Sequence, residues 1–133
     1  MTSPTVAVPR ARAGVFLDKA EEFLRSAQRA FAAGDRDAAA LLAIHAGISA
    51  FDSLTVFHLG IRSNSKRHLD VLGVLKGATF EGRAQVERQL RELIAEKRLV
   101  EYEDRRLLAG DAQKMVRLAE RIVQTAERVQ GKR

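Results

Sequence analysis

The stretch from residue 38 to residue 59, AAALLAIHAGISAFDSLTVFHL, decides the fold of this chain. A helix over these residues is apolar on almost every face, whereas a surface helix carries a single apolar stripe. Other elements therefore have to cover it on most of its sides. The sequence predicts a central helix over residues 36–59 that ends at Gly60, with the rest of the chain arranged around it.

The neighbouring segments have the amphipathic pattern of helices that cover a central one. Apolar residues recur at spacings of three and four in 13–33, 83–103 and 112–130, and more briefly in 67–75. No segment alternates convincingly at period two, so strands are not expected. The prediction is an all-α, up-down bundle of four long helices and one short helix. This single domain is expected to span residues 13–131, behind a flexible N-terminal arm, residues 1–12, that contains both prolines.

Length and composition exclude several classes of protein. The 133 residues suffice for one domain with a sizeable core. Because the chain has no cysteine, it has no disulfide framework, no thiolate zinc site and no cysteine nucleophile. It also lacks an uninterrupted apolar run of ~18 residues and the long apolar core of a signal peptide. We therefore expect a cytoplasmic protein without a membrane partner.

The basic character of the chain is concentrated in one window. The net charge is +6, and no acidic residue lies between Asp52 and Asp70, whereas Arg62, Lys66 and Arg67 do. Such an uncompensated basic window is a candidate site for an anion or a phosphate. The alternative is a solvated loop with a chance excess of arginine.

A row of polar residues crosses the apolar helix. His45, Ser49, Asp52 and Thr55 are four, three and three residues apart, which places them on one helical stripe. Buried polar groups without partners cost about 1–3 kcal/mol each. The stripe therefore needs partners, which other helices, a second subunit or a ligand could provide.

The signatures of P-loops, zinc sites and di-iron bundles are missing from the sequence. One remaining group of residues is suited to catalysis. In Arg62-Ser-Asn-Ser-Lys-Arg-His68, the histidine can take a proton from a ribose 2′-hydroxyl or return one to the leaving 5′-oxygen. The arginine offers a bidentate fork to the phosphate. Neither role needs a metal or another cofactor. About one such match is expected by chance, so the location of the pair in the basic window carries the argument.

Residues 15–130 resemble a HEPN domain, a small helical family found in prokaryotic toxins, nucleotidyltransferase partners and CRISPR effectors. The resemblance rests on FLDKAEEFLRSAQRAFAAGDRDAAALLAIHAGISAFDSLTV (16–56), IRSNSKRHLDVLGVL (61–75) and LVEYEDRRLLAGDAQKMVRLAERIVQTAERV (99–129). The chain is particularly similar to small stand-alone actinobacterial-type HEPN proteins, which carry a histidine and an aspartate on the second helix, as His45 and Asp52 do here.

HEPN proteins with an Arg-x(4–6)-His motif are typically metal-independent endoribonucleases that act as two-fold dimers, with both motif copies facing one cleft. The resemblance thus implies a homodimer that acts on RNA without a cofactor, as a toxin or defence nuclease, with a cognate antitoxin as a further partner. It implies catalytic roles for Arg62 and His68. The residues implied for phosphate binding are Asn64, Lys66 and Arg67, and those implied as supporting polar residues are His45, Asp52 and Tyr102.

The family resemblance also leaves a second interpretation open. Many HEPN domains have lost catalysis, and this chain has Ser63 directly after the arginine, where the family often has Asn, Asp or His. The alternative is a non-catalytic HEPN-like dimerisation module that binds a nucleotide, RNA or a partner protein. In that case His68 is the first-turn residue of a short helix and Arg62 is a surface charge.

Overall fold

The computed structural model describes residues 4–64, 68–102 and 106–132, without the side chains of residues 68–71, 98, 99 and 102. The described chain contains two 3-10 helices (Arg10–Arg12 and His68–Gly77) and a small antiparallel sheet of β1 (Thr5–Ala7) and β2 (Ile61–Ser63). Its α-helices are α1 (Ala13–Ala32), α2 (Arg36–Leu59), α3 (Arg83–Ala95), α4 (Lys97–Tyr102) and α5 (Ala109–Val129). The predicted all-α bundle of four long helices and one short one is confirmed.

Helix α2 lies at the centre of the bundle and contacts α1, α3 and α5. Gly47 lets two of these neighbours come close, because a Cβ at this position would lie 2.5 Å from Leu93 Cδ2 and 3.4 Å from Ile122 Cδ1. By length and composition alone α2 could span a membrane, but 67% of its most apolar window is buried in the protein. Packing inside the bundle therefore accounts for the apolar character of α2.

The long helices alternate in direction, and hydrogen bonds connect α2 to the last of them at both ends. Arg36 at the start of α2 donates to the carbonyl oxygen of Leu107, at 3.5 Å. Gln130, which follows α5, donates to Ser53 Oγ near the other end of α2, at 3.0 Å. Helix α5 therefore runs parallel to α2. We call the two ends of the molecule the Leu107 end and the Gly60 end; the start of α1 and the end of α2 both lie at the Gly60 end.

Two predicted helices have different bounds from those expected. The helix predicted over residues 83–103 is divided at Glu96, where a turn separates α3 from α4. The short helix predicted over residues 67–75 is the 3-10 helix His68–Gly77. Its leucines at 69, 72 and 75 are three residues apart, which is the repeat of a 3-10 helix and not of an α-helix.

Residues 4–12 of the N-terminal segment, which was predicted as a flexible arm over residues 1–12, contain short regular elements. Thr5–Ala7 forms β1 and pairs with β2, and Arg10–Arg12 forms a 3-10 helix that leads into α1. The two prolines, Pro4 and Pro9, flank the paired stretch, where the lack of an N–H and a fixed φ are tolerated. A three-residue strand that pairs with residues more than 50 positions away leaves no periodic signal in the sequence.

Candidate functional site

The predicted site lies at the Gly60 end, where α2 stops and the chain enters β2. Gly60 has φ +67°, a left-handed conformation that residues with a side chain rarely adopt. Its N–H donates to the carbonyl oxygen of Val56 and closes the last turn of α2. The chain then reverses into Ile61–Ser63, so that Arg62 comes back alongside the last turns of α2.

Asp52 and Arg62 form an ion pair at this point. Asp52 Oδ2 lies 3.7 Å from Arg62 Nε, and the aspartate side chain is only 8% exposed, whereas that of the arginine is 36% exposed. Burial raises the pKa of Asp52 to about 6, although the positive charge of Arg62 lowers it in part. At neutral pH the side chain of Asp52 is therefore an ionised carboxylate, although burial favours its neutral form.

An aromatic ring contacts the same arginine. The Arg62 guanidinium carbon lies 5.4 Å from the centroid of the Phe16 ring, which belongs to the first turn of α1. This is within the range of a cation–π interaction. Arg62 Nε is buried and has no hydrogen-bond partner among the described residues. Two neighbouring groups thus hold the arginine, while part of its side chain stays open to solvent.

His58, in the last turn of α2, packs against aromatic rings and does not add a charge to the basic window. Its ring is parallel to that of Phe80, with centroids 4.8 Å apart, and perpendicular to that of Phe57, with centroids 5.1 Å apart. Burial, followed by the nearby charge of Arg10, lowers the pKa of His58. The imidazole is therefore neutral at neutral pH. The structure assigns it a packing role between α2 and the segment that precedes α3.

The remaining predicted residues fall into two groups. His45 is exposed, and its ring lies 5.9 Å from that of Phe23 on α1. It precedes Asp52 by seven residues, about 10 Å along the helix, so the structure does not bring it to Arg62. Asn64 is exposed at the end of β2, and its N–H donates to the carbonyl oxygen of Pro4, at 2.9 Å.

The second group lies wholly or partly outside the described residues. Lys66 and Arg67 are outside them. His68 begins the 3-10 helix and Tyr102 ends α4, but their side chains are not part of the description. Within the described residues no three His, Asp or Glu side chains are grouped to hold a metal ion. Of the predicted site residues, the structure brings Asp52 and Arg62 together. The roles of Lys66, Arg67, His68 and Tyr102 stay predictions.

Most of the chain matches the model of one known family. The family model of the HEPN domain matches residues 13–129, which is most of the 133-residue chain. The chain belongs to the HEPN domain family. Comparison with curated proteins finds no match, and comparison with solved structures finds none. The HEPN family includes ribonucleases and nucleotide-binding modules.

Sequence reasoning missed Phe16 as part of this site. Phe16 lies seven residues before Phe23, a helical spacing typical of core residues, but it is only half-buried and its ring contacts Arg62. The usable signal was its place in the first turn of α1, because in an up-down pair this turn lies beside the last turns of α2. In this HEPN domain the arginine is thus held by residues from two helices, Phe16 on α1 and Asp52 on α2.

Proposed function

We propose that this HEPN protein is a metal-independent endoribonuclease that acts as a dimer, with Arg62 and His68 of both copies at one shared cleft. The observation that carries the proposal is the ion pair between Arg62 and a buried aspartate, Asp52. A buried carboxylate with a raised pKa is costly, and such groups cluster at functional sites. The biological role that goes with this activity is that of a toxin or defence nuclease with a cognate antitoxin.

The proposed reaction is a transesterification within the RNA chain. His68 takes the proton of a ribose 2′-hydroxyl, and the 2′-oxygen attacks the adjacent phosphorus. The bond from phosphorus to the 5′-oxygen breaks, and this oxygen receives a proton, from the His68 of either copy. The product is a 2′,3′-cyclic phosphate. Arg62 stabilises the charge that builds on the phosphate oxygens, and Asn64, Lys66 and Arg67 bind neighbouring phosphates.

Asp52 and Phe16 have a positioning role in this proposal. Asp52 meets Arg62 at Nε, and the Phe16 ring lies against the guanidinium. A guanidinium that is fixed in place before the substrate arrives loses less conformational entropy when it binds a phosphate. The exposed part of the Arg62 side chain is what a phosphate would meet.

The activity is tested with the purified full chain, single-stranded RNA and excess EDTA. We expect cleavage that leaves 2′,3′-cyclic phosphate ends. Arg62→Ala should lower the rate by ~100-fold, and Arg62→Lys should recover only part of the loss because lysine lacks the bidentate fork. Arg117→Ala is the matched control, since it removes the same charge from an exposed position about 20 Å along α5 from Gln130. Intact RNA with wild-type protein over a broad pH range would rule out the nuclease.

The second candidate function is a non-catalytic dimerisation module that binds a nucleotide, RNA or a partner protein. The observation in its favour is the ion pair between Arg62 and Asp52. A purely structural arginine would also need such a partner. The same experiment separates the two candidates. A module of this kind binds RNA or a partner without cutting RNA, and Arg62→Ala then changes stability or binding and no cleavage rate.

The dimer is supported by exposed apolar side chains at the Gly60 end. Val6, Val15 and Phe57 are 39%, 45% and 39% exposed, and their elements all meet at this end. Sedimentation equilibrium at micromolar concentration is expected to give twice the mass of one chain. Val15→Glu should shift the protein toward monomer, because it places a charge among these side chains. Leu108→Glu should not, although Leu108 is 63% exposed, because it lies at the opposite end. A wild-type monomer would contradict the dimer.

A further inference from the structure

The strand that carries Arg62 is held in place by the N-terminal segment. β1 pairs with β2 in an antiparallel register in which Thr5 faces Ser63, Val6 faces Arg62 and Ala7 faces Ile61. The pairing extends one residue beyond each strand end. Val8 N–H donates to the carbonyl oxygen of Gly60, and Asn64 N–H donates to that of Pro4, both at 2.9 Å. The whole stretch 60–64 is thus paired with residues 4–8.

The register defines which backbone groups face each other. Hydrogen-bonded and non-hydrogen-bonded pairs alternate along an antiparallel ladder. Since the pairs 8–60 and 4–64 are hydrogen-bonded, the pair between Val6 and Arg62 is hydrogen-bonded as well, and it exchanges both N–H···O bonds. The N–H groups of Thr5 and Ala7 point away from β2. Val6 is therefore the residue whose backbone fixes that of Arg62.

We propose that the N-terminal segment, residues 4–8, is a positioning element for Arg62, and that its backbone pairing holds the guanidinium between Asp52 and Phe16. This inference rests on the proposed function in so far as Arg62 is the phosphate clamp. The contacts of the guanidinium with Asp52, at 3.7 Å, and with the Phe16 ring, at 5.4 Å, are both long. The orientation of the side chain therefore depends strongly on where its own backbone lies.

The segment contributes little to the bundle itself. All three residues of β1 are exposed, so that their pairing buries little apolar surface. A two-stranded ribbon is marginally stable on its own. The pairing depends on its backbone hydrogen bonds and on the attachment of both strands to helices, α1 through the 3-10 helix Arg10–Arg12 and α2 through Gly60. Loss of the pairing should therefore displace Arg62 and leave the core intact.

Two proline variants of the full chain test this role. Val6→Pro removes the N–H that donates to the carbonyl oxygen of Arg62. Ala7→Pro is the matched control, because the N–H that it removes points away from β2 and prolines are tolerated on the outer side of an edge strand. Amide hydrogen exchange of Arg62, the pKa of Asp52 measured by NMR titration, and RNA cleavage are recorded for both variants and for the wild type.

For Val6→Pro we expect exchange of the Arg62 amide at least ~10-fold faster than in the wild type. The Asp52 pKa should rise above its wild-type value as the positive charge moves away, and RNA cleavage should fall ~10-fold or more. Ala7→Pro should resemble the wild type in all three. Unchanged amide exchange and unchanged Asp52 pKa in Val6→Pro would overturn the positioning role. If the wild type does not cleave RNA, the proposed nuclease fails, while the other two measurements still decide the role of the segment.

Discussion

His68→Ala is expected to lower the rate of RNA cleavage by ~100-fold or more while the dimer and the fold survive. A positioned general acid or base contributes typically ~10²–10⁴-fold to the rate, and the variant has no group at this position that can carry a proton. The rate is measured in EDTA with single-stranded RNA, under single-turnover conditions, so that the chemical step is separated from binding.

The control for this variant addresses proton transfer directly. His68→Asn retains a hydrogen-bonding side chain that does not titrate, and it should be as slow as His68→Ala. Added imidazole should restore part of the activity of His68→Ala, because it can supply the missing proton-transfer group. If His68→Ala cleaves as well as the wild type, the catalytic role of His68 is wrong. If the variants lose activity together with their helical circular dichroism, His68 supports the fold and the prediction that the fold survives is wrong.

Asp52→Asn is expected to stabilise the protein at pH 8. The carboxyl of Asp52 has a pKa of about 6 in the folded protein, against 3.8 for the unperturbed group. The folded state thus binds the proton more tightly than the unfolded state, and stability falls as the pH rises from about 4 to about 6. Above that range the ionised carboxylate lowers the free energy of unfolding by about 3 kcal/mol relative to the protonated form. This value includes the attraction of Arg62. Asparagine has nearly the same shape and carries no charge.

The measurement is urea unfolding of both proteins at pH 4, 6 and 8. The wild type should lose stability from pH 4 to pH 8 relative to Asp52→Asn, with an unchanged slope against urea. Asp35→Asn is the control, because it removes the same charge from an exposed residue at the start of α2. An Asp52→Asn protein that is less stable than the wild type at pH 8 would contradict the argument, since Asp52 would then stabilise the fold by its charge.

Together with the activity assay, Asp52→Asn also tests why the carboxylate is present. If Asp52 positions Arg62 for a phosphate, the variant should be more stable and less active, because it loses the charge that orients the guanidinium. A variant that is more stable and equally active would mean that Arg62 is held by Phe16 and the β1 pairing alone.

The sequence by itself determined the helical bundle and the central place of α2. This part was predictable because the signals are local. Residues 38–59 are apolar on almost every face, and Gly34 and Gly60 mark the helix ends with a backbone conformation that favours glycine. The basic window from Asp52 to Asp70 could also be read from the sequence, since it depends on composition alone.

Only the tertiary structure decided how Arg62 is held. Its three neighbours, Asp52, Phe16 and Val6, are 10, 46 and 56 residues away in sequence, and each contact depends on how separate elements meet at the Gly60 end. The polar stripe showed that Asp52 needs a partner, but a stripe does not name the partner. His45 belongs to the same stripe but stays exposed near Phe23 and does not meet Arg62, because along the helix it lies about 10 Å from Asp52. Periodicity specifies which face of an element is buried, whereas the residue that it meets across the bundle is set by packing and by backbone pairing.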